Sequence, residues 1–256
     1  MNLFKKIDLD KVLTDFTKVL QQTEGVLTED NIRYYFFAKM YDHDNDLRHY
    51  TLELPYEMIK SGNGNLPIEL NDASSLKLSR LGDGPDQELD MFYYDGKECL
   101  CVEIKFHRSG THKSDFPHTE AAGEMFNDMK RLQLIQSKKH VDVRKLFLYI
   151  TDPEMDDYLQ NASETQRNSQ YRELIKTFYT LEQTDRFKSI DFTDVVTEQN
   201  LRTFTSASSK SFNSQSAPVL NVKLLYSDAV KSKSPSLKGS KGREKMNCYV
   251  KMFEIE

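Results

Sequence analysis

The chain has 256 residues, a formal net charge of −5, and Asp, Glu, Lys and Arg make up 29% of it. That length holds one large domain or two small ones, and the mildly acidic balance argues against a strongly basic, non-specific nucleic-acid binder, although local charge rather than the total governs contact with phosphates. No apolar run approaches a membrane span, the stretch MNLFKKIDLDKVL lacks the apolar segment of a secretory signal, and Cys99, Cys101 and Cys248 do not make a disulfide framework, so the expectation is a soluble, globular, cytoplasmic protein.

Residues 8 to 22 place Leu9, Val12, Leu13, Phe16, Val19 and Leu20 at helical spacing. Gly25 breaks the pattern, and Thr28 is positioned to cap a second helix, EDNIRYYFFAKMY, with Ile32, Tyr35, Phe36 and Met40 inward. Glu29 falls in its first turn, where a carboxylate favours the helix dipole. YDHDNDLR at 41 to 48 reads as a polar loop; His43 among Asp42, Asp44 and Asp46 lacks the Gly and distant Glu of a calcium loop. YTLELP is the first predicted core strand, carrying Glu53, and residues 60 to 75 read as an irregular excursion.

The stretch from 88 to 105, ELDMFYYDGKECLCVEIK, reads as a β-hairpin turning at Asp95-Gly96. A two-residue loop places Tyr94 opposite Lys97 and Asp90 opposite Cys101. One face then carries Glu88, Asp90, Phe92 and Tyr94 with Cys99, Cys101, Glu103 and Lys105; the other carries Leu89, Met91 and Tyr93 with Leu100, Val102, Ile104 and Phe106. Asp90 lies diagonal to Glu103 in this register, near enough for both carboxylates to close on one hard cation. Taken alone, the residues admit two readings, a metal site or a solvated acidic face. The apolar VEIKF run speaks for a central strand covered on both faces, where an ionic group must be paired or bind a metal.

FHRSGTHKSDFPH follows, with His107, Arg108, His112, Lys113 and His118 around a Ser-Gly turn; it is a phosphate contact or a solvated loop, and zinc is disfavoured without a cysteine or compact His pair. A long helix is predicted from Thr119 to about Lys139, buried along Ala122, Met125, Met129 and Leu132, with Asp128, Lys130, Arg131 and Gln133 on other faces. KLFLYITDP is the fourth core strand, 163 to 183 a further helix, FKSIDFTDVV a fifth strand, the Ser-rich 205 to 217 a loop, and VLNVKLLYS and CYVKMFEIE late strands. The basic KSKSPSLKGSKGREK between them is either an arm for a nucleic-acid backbone or a solubilising loop.

Asp90, twelve residues, then Glu103-Ile104-Lys105, in the order helix, three strands, helix, strand, resembles the signature of the PD-(D/E)XK nuclease superfamily. The resemblance spans roughly residues 28 to 152 and reaches no particular subgroup. It implies a restriction-endonuclease-like α/β core, a central mixed sheet flanked by helices, over 1–200, with 201–256 a C-terminal β-rich extension. It further implies Mg²⁺- or Mn²⁺-dependent hydrolysis of phosphodiester bonds, in DNA rather than RNA, by a chain that a homodimer would suit for double-strand cutting. Asp90 and Glu103 would hold the metal, with the Ile104 carbonyl as an extra ligand. Lys105 would orient the attacking water or neutralise charge on the phosphate. Glu29 of the first core helix and Glu53 become accessory carboxylates. A literal Pro85-Asp86 pair keeps Asp86, and with it Glu88, as alternatives to Asp90. His107, Arg108, Lys113 and Lys130 become candidate nucleic-acid contacts. The competing expectations are a catalytically inactive nucleic-acid-binding or assembly module of the same fold, and an unrelated α/β interaction protein.

Overall fold

A computed structural model describes residues 7–61, 65–77, 87–108, 118–138, 140–161, 169–193, 201–214, 219–235 and 245–256. The elements run α1 (Leu9–Gln22), α2 (Glu29–Asp44), β1 (Tyr50–Pro55), α3 (Tyr56–Ser61), β2 (Ile68–Leu70), β3 (Glu88–Tyr94), β4 (Glu98–His107), α4 (His118–Gln133), β5 (Ile135–Ser137), β6 (Asp142–Thr151), α5 (Pro153–Gln160), α6 (Ser169–Tyr179), β7 (Lys188–Asp191), α7 (Leu201–Ser208), β8 (Val219–Pro235) and β9 (Lys245–Ile255).

Seven strands form one mixed sheet in the order β1-β3-β4-β6-β9-β8-β7, and β2 pairs with β5 in a small separate ribbon. Within the large sheet β4 and β6 are parallel, joined through α4, while the other neighbours are antiparallel. The C-terminal strands belong to this sheet: β9 pairs with β6 on one side and with β8 on the other.

Apolar side chains alternate across β4 and β6 and build a core on each face. Leu100, Val102, Ile104, Leu146, Leu148 and Ile150 pack toward α1 and α2, whereas Cys99, Cys101, Phe147 and Tyr149 pack toward α4 and α6. Burial on both sides explains the near-continuous apolar reading of these strands. The α1 stripe buries Leu9, Val12, Leu13, Phe16 and Leu20 as expected, with Thr17 buried and Val19 only half-buried, and Thr28 caps α2, its hydroxyl accepting from the Asn31 N–H at 3.2 Å.

The hairpin forms on the expected strands but in a different register. Tyr94 faces Cys99, not Lys97, and Met91 faces Val102. Asp90 lies just past the last paired residues, Met91 and Val102, with its carboxylate on the Ile104 N–H at 2.6 Å. The turn is wider because the Asp95 carboxylate accepts from the N–H groups of Lys97 and Glu98 at 2.9 and 3.0 Å. Gly96 supplies the positive φ, +95°, that this turn requires.

A second departure lies at Glu53, whose φ is +54° in the middle of β1. Leu54 and its partner Leu89 pack toward α4, while Leu52 and its partner Met91 pack toward α1 and α2. The pleat is interrupted at Glu53 and Asp90, so Leu89 does not share the face of Met91 as strict alternation predicts. A non-glycine residue in this region costs about 1–2 kcal/mol and persists only where its surroundings enforce it.

Other differences are local. Helix α2 continues to Asp44 through the expected polar loop and stops at Asn45, which takes the left-handed conformation. Helix α4 ends at Gln133, and the chain turns at once into β5. Part of the Ser-rich 205 to 217 stretch is helical: Phe204 and Ala207 of α7 are buried, and so is Ser208, whose hydroxyl donates back to the Thr205 carbonyl. The middle of the basic run between β8 and β9, and the start of the helix predicted from 163, lie outside the described residues.

Helix α7 packs on α4 at Gly123. A Cβ there would sit 2.5 Å from Ala207 Cβ and 2.7 Å from the Phe204 carbonyl oxygen. Gly123→Ala is therefore expected to lower stability by about 1–3 kcal/mol despite the better helix propensity of alanine. Urea denaturation measures this, and a variant as stable as the parent would show that the two helices part freely.

Candidate active site

Five elements meet at the irregularity in the sheet: α2 brings Glu29 and Arg33, β1 brings Glu53, β3 Asp90, β4 Glu103 and Lys105, and α4 Asp128 and Arg131. The sequence assembles them simply. Glu29 and Arg33 share one face of α2 by their i, i+4 spacing, and Asp128 and Arg131 share one face of α4 by i, i+3. The ladder from β1 through β4 carries the strand residues between the two helices.

The charges alternate around the site. Arg33 lies 2.8 Å from Asp90, 3.3 Å from Glu53, 3.5 Å from Asp30 and 3.6 Å from Glu29. Arg131 lies 3.0 Å from both Glu103 and Asp128. Lys105 joins the two halves, with Nζ 3.8 Å from Glu29 and 3.8 Å from Asp128. Buried Tyr56, at the start of α3, donates its hydroxyl to Glu103 Oε1 at 2.9 Å. The Ile104 N–H donates to Asp90 Oδ2 at 2.6 Å, and the Phe106 N–H to Glu29 Oε2 at 3.2 Å.

Asp90 is 7% exposed and Glu103 2%, which rules out a solvated acidic face. Burial pushes the Asp90 carboxyl up to about 6 even though Arg33 and the Ile104 amide pull the other way. Burial also raises Glu103, against the pull of Arg131. For Lys105, burial disfavours the ammonium, but Asp128 and Glu29 outweigh it and its pKa rises. Lys105 therefore stays charged at neutral pH and is a cation or proton donor, not a base.

Asp90, Glu103, Lys105 and the accessory Glu29 and Glu53 are thus drawn together in space. Glu88 sits two residues before Asp90, across from Pro55 at the edge of the group, and Asp86 lies outside the described residues. Arg33 and Tyr56 escaped the sequence reading. The i, i+4 spacing to Glu29 was a usable signal for Arg33, whereas nothing local marks Tyr56. Asp128 and Arg131 were in view, but spacing alone could not select them from their helix neighbours.

The expected nucleic-acid contacts turn inward. His107 is buried and its Nδ1 lies 2.9 Å from the Tyr149 hydroxyl. Arg108 donates to the Leu27 carbonyl at 3.1 Å, tying β4 to the α1–α2 connection. Lys130 is buried, 3.4 Å from the Ser209 hydroxyl and 4.3 Å from the centre of the Phe212 ring, and burial lowers its pKa to about 8. In this structure these three side chains tie elements together; Lys113 lies outside the described residues.

Burial, followed by the nearby Lys105 charge, lowers the His107 pKa from 6.5 to about 3. Between those values the unfolded chain binds the proton and the folded chain does not, so stability falls as pH drops through that window. The slope from this one group is at most about 1.4 kcal/mol per pH unit. His107→Gln, which keeps a hydrogen-bonding side chain beside Tyr149, is expected to lose stability less steeply below pH 6.5. Parallel urea midpoints for parent and variant across that range would contradict it.

Among the described residues, no group of three or more His, Cys, Asp or Glu side chains is placed to hold a metal ion, and no helix is long and apolar enough to cross a membrane. The donor chemistry nevertheless fits a hard divalent cation. Asp90 and Glu103 supply buried carboxylate oxygens, the donor type that such an ion prefers, and the raised Asp90 pKa means that Arg33 does not fully offset its burial. No family model matches the sequence, and no curated protein or solved structure matches it significantly.

Proposed function

We propose that this chain is a metal-dependent nuclease of the PD-(D/E)XK type that hydrolyses phosphodiester bonds, in DNA rather than RNA. The observation that carries the reading is the convergence of buried Asp90 and Glu103 with half-buried Lys105 and Glu29 at one break in the sheet. The pairing supports it as well. Helix α2, the antiparallel β1, β3 and β4, the crossover helix α4 and the parallel β6 come in an order compatible with the one that the resemblance implies.

Asp90 and Glu103, with the Ile104 carbonyl, are the groups to hold Mg²⁺ or Mn²⁺. Such an ion, when bound, polarises the scissile phosphate and acidifies a water. The protein's own groups do the rest. Lys105 presents a fixed ammonium where negative charge grows on the phosphate. Glu29 and Asp128 keep that ammonium charged and aimed between the helices. Tyr56 and Arg131 hold Glu103 in one orientation.

A specific observation favours the second reading, an inactive nucleic-acid-binding module of the same fold: Asp90 and Glu103 each already have an arginine partner. Incubation of the purified chain with plasmid DNA, single-stranded DNA and RNA, with Mg²⁺, Mn²⁺ or chelator, separates the two. Metal-dependent cutting lost in Asp90→Asn supports the nuclease. Binding without cutting, unchanged by that substitution, supports the module.

A further inference from the structure

Arg33 and Arg131 both neutralise a buried carboxylate, but they are not equivalent. Arg131 is enclosed, its side chain 12% exposed, and its partners Glu103 and Asp128 are both interior. Were it to release Glu103, a guanidinium would remain buried with only Asp128 beside it. Arg33 is covered to a similar degree, its side chain 17% exposed, but two of its partners reach the surface. Besides Asp90 it has Glu53 at 3.3 Å and Asp30 at 3.5 Å, whose side chains are 49% and 76% exposed. It can leave Asp90 and remain paired at the surface. The left-handed backbone at Glu53 adds to the asymmetry. A strand residue is held at φ +54° at the position that puts its carboxylate against Arg33.

We propose that Arg33 is a built-in counter-ion that guards Asp90 and yields it to an incoming divalent cation by transferring to Glu53 and Asp30. The inference rests on the metal-dependent reading above and deepens it. It assigns Arg33 the role of gatekeeper of the metal site and Glu53 that of its receiver. Physically, a buried Asp90 needs a positive charge at all times. Arg33 supplies it before the cation arrives, and cation binding is then an exchange of one positive charge for another. Because the two compete for one carboxylate, each must weaken the other's hold.

The test is Mn²⁺ binding to the full chain without nucleic acid, followed by electron paramagnetic resonance as loss of the free-ion signal. The proteins compared are wild type, Arg33→Met, Glu53→Gln, the double variant and Asp90→Asn. Arg33→Met is expected to bind Mn²⁺ about tenfold more tightly than wild type, within the roughly 5–150-fold range of coupled sites. Glu53→Gln is expected to weaken binding several-fold when Arg33 is present and to have no effect in the Arg33→Met background. Equal weakening in both backgrounds would make Glu53 a ligand or a distant charge, and overturns the transfer. Wild-type affinity or weaker in Arg33→Met overturns the guard role, while binding lost only in Asp90→Asn leaves the metal-dependent reading standing. No Mn²⁺ binding by any of the proteins ends both. If Arg33→Met does not fold, Arg33→Lys replaces it. A point charge grips a carboxylate less well than the guanidinium fork, so a smaller gain of the same sign is expected, and no gain overturns the proposal.

Discussion

Replacing Arg131 by alanine is expected to cost about 3–5 kcal/mol of folding stability, the largest effect of any single change in the site. Glu103 has a side chain only 3% exposed, and Arg131 is the cation that faces it, 3.0 Å away. Without the guanidinium, Glu103 retains only the Tyr56 hydroxyl. A buried carboxylate left that way either takes up a proton or strains the fold. Asp128 loses its shorter ion pair as well and is left with the longer one to Lys105, so one substitution weakens the hold on two acids. Chemical denaturation at neutral pH checks the value. Combining Arg131→Ala with Glu103→Gln is expected to recover much of the loss, because the amide needs no counter-ion and still accepts from Tyr56. A cost below about 1 kcal/mol for Arg131→Ala would mean that water reaches this cluster freely, as it does at surface ion pairs.

Lys105→Ala is expected to leave the fold and Mn²⁺ binding in place while lowering the cleavage rate by about 10²–10³. Its ion pairs to Glu29 and Asp128 are long, 3.8 Å each, and its side chain is 22% exposed, so little stability rides on it. Its charge, in contrast, is secured by those same acids. The expectation follows from what that charge can do: an ammonium held at fixed distance lowers the energy of a phosphate that gains negative charge, and alanine cannot. Single-turnover cleavage with metal saturating, set beside the denaturation midpoint of the variant, separates this from unfolding. A variant cutting at the wild-type rate would remove Lys105 from the chemistry.

The two strands that carry the site were legible because burial on both faces leaves a run of apolar residues, and an Asp-Gly pair marks where they turn. Asp90, Glu103 and Lys105 stood out because ionised groups are costly in such a run. The register was not legible. It depended on the Asp95 carboxylate capping two amides of its own turn, and that moved the partner of Tyr94 from Lys97 to Cys99. Parity survived because the slip was an even number of residues. Composition misled at the Ser-rich stretch before residue 217, where serines are buried in and beside α7 by bonding back to nearby groups. His107 and Lys130, read as candidate nucleic-acid contacts, are buried, and Arg108 is half-buried.

What the sequence determined by itself was local: where α1 and α2 start, which strands lie at the centre, and which acidic residues sit in an apolar setting. Periodicity, caps and turns act over a few residues, so they can be read there. What only the tertiary structure decided was partnership. Arg33 reaches Asp90 from a helix far earlier in the chain, Arg131 and Tyr56 close on Glu103 from either side of it, and Lys105 bridges the two groups. Charge acts through space rather than along the chain, and its strength depends on burial, which no stretch of sequence carries on its own.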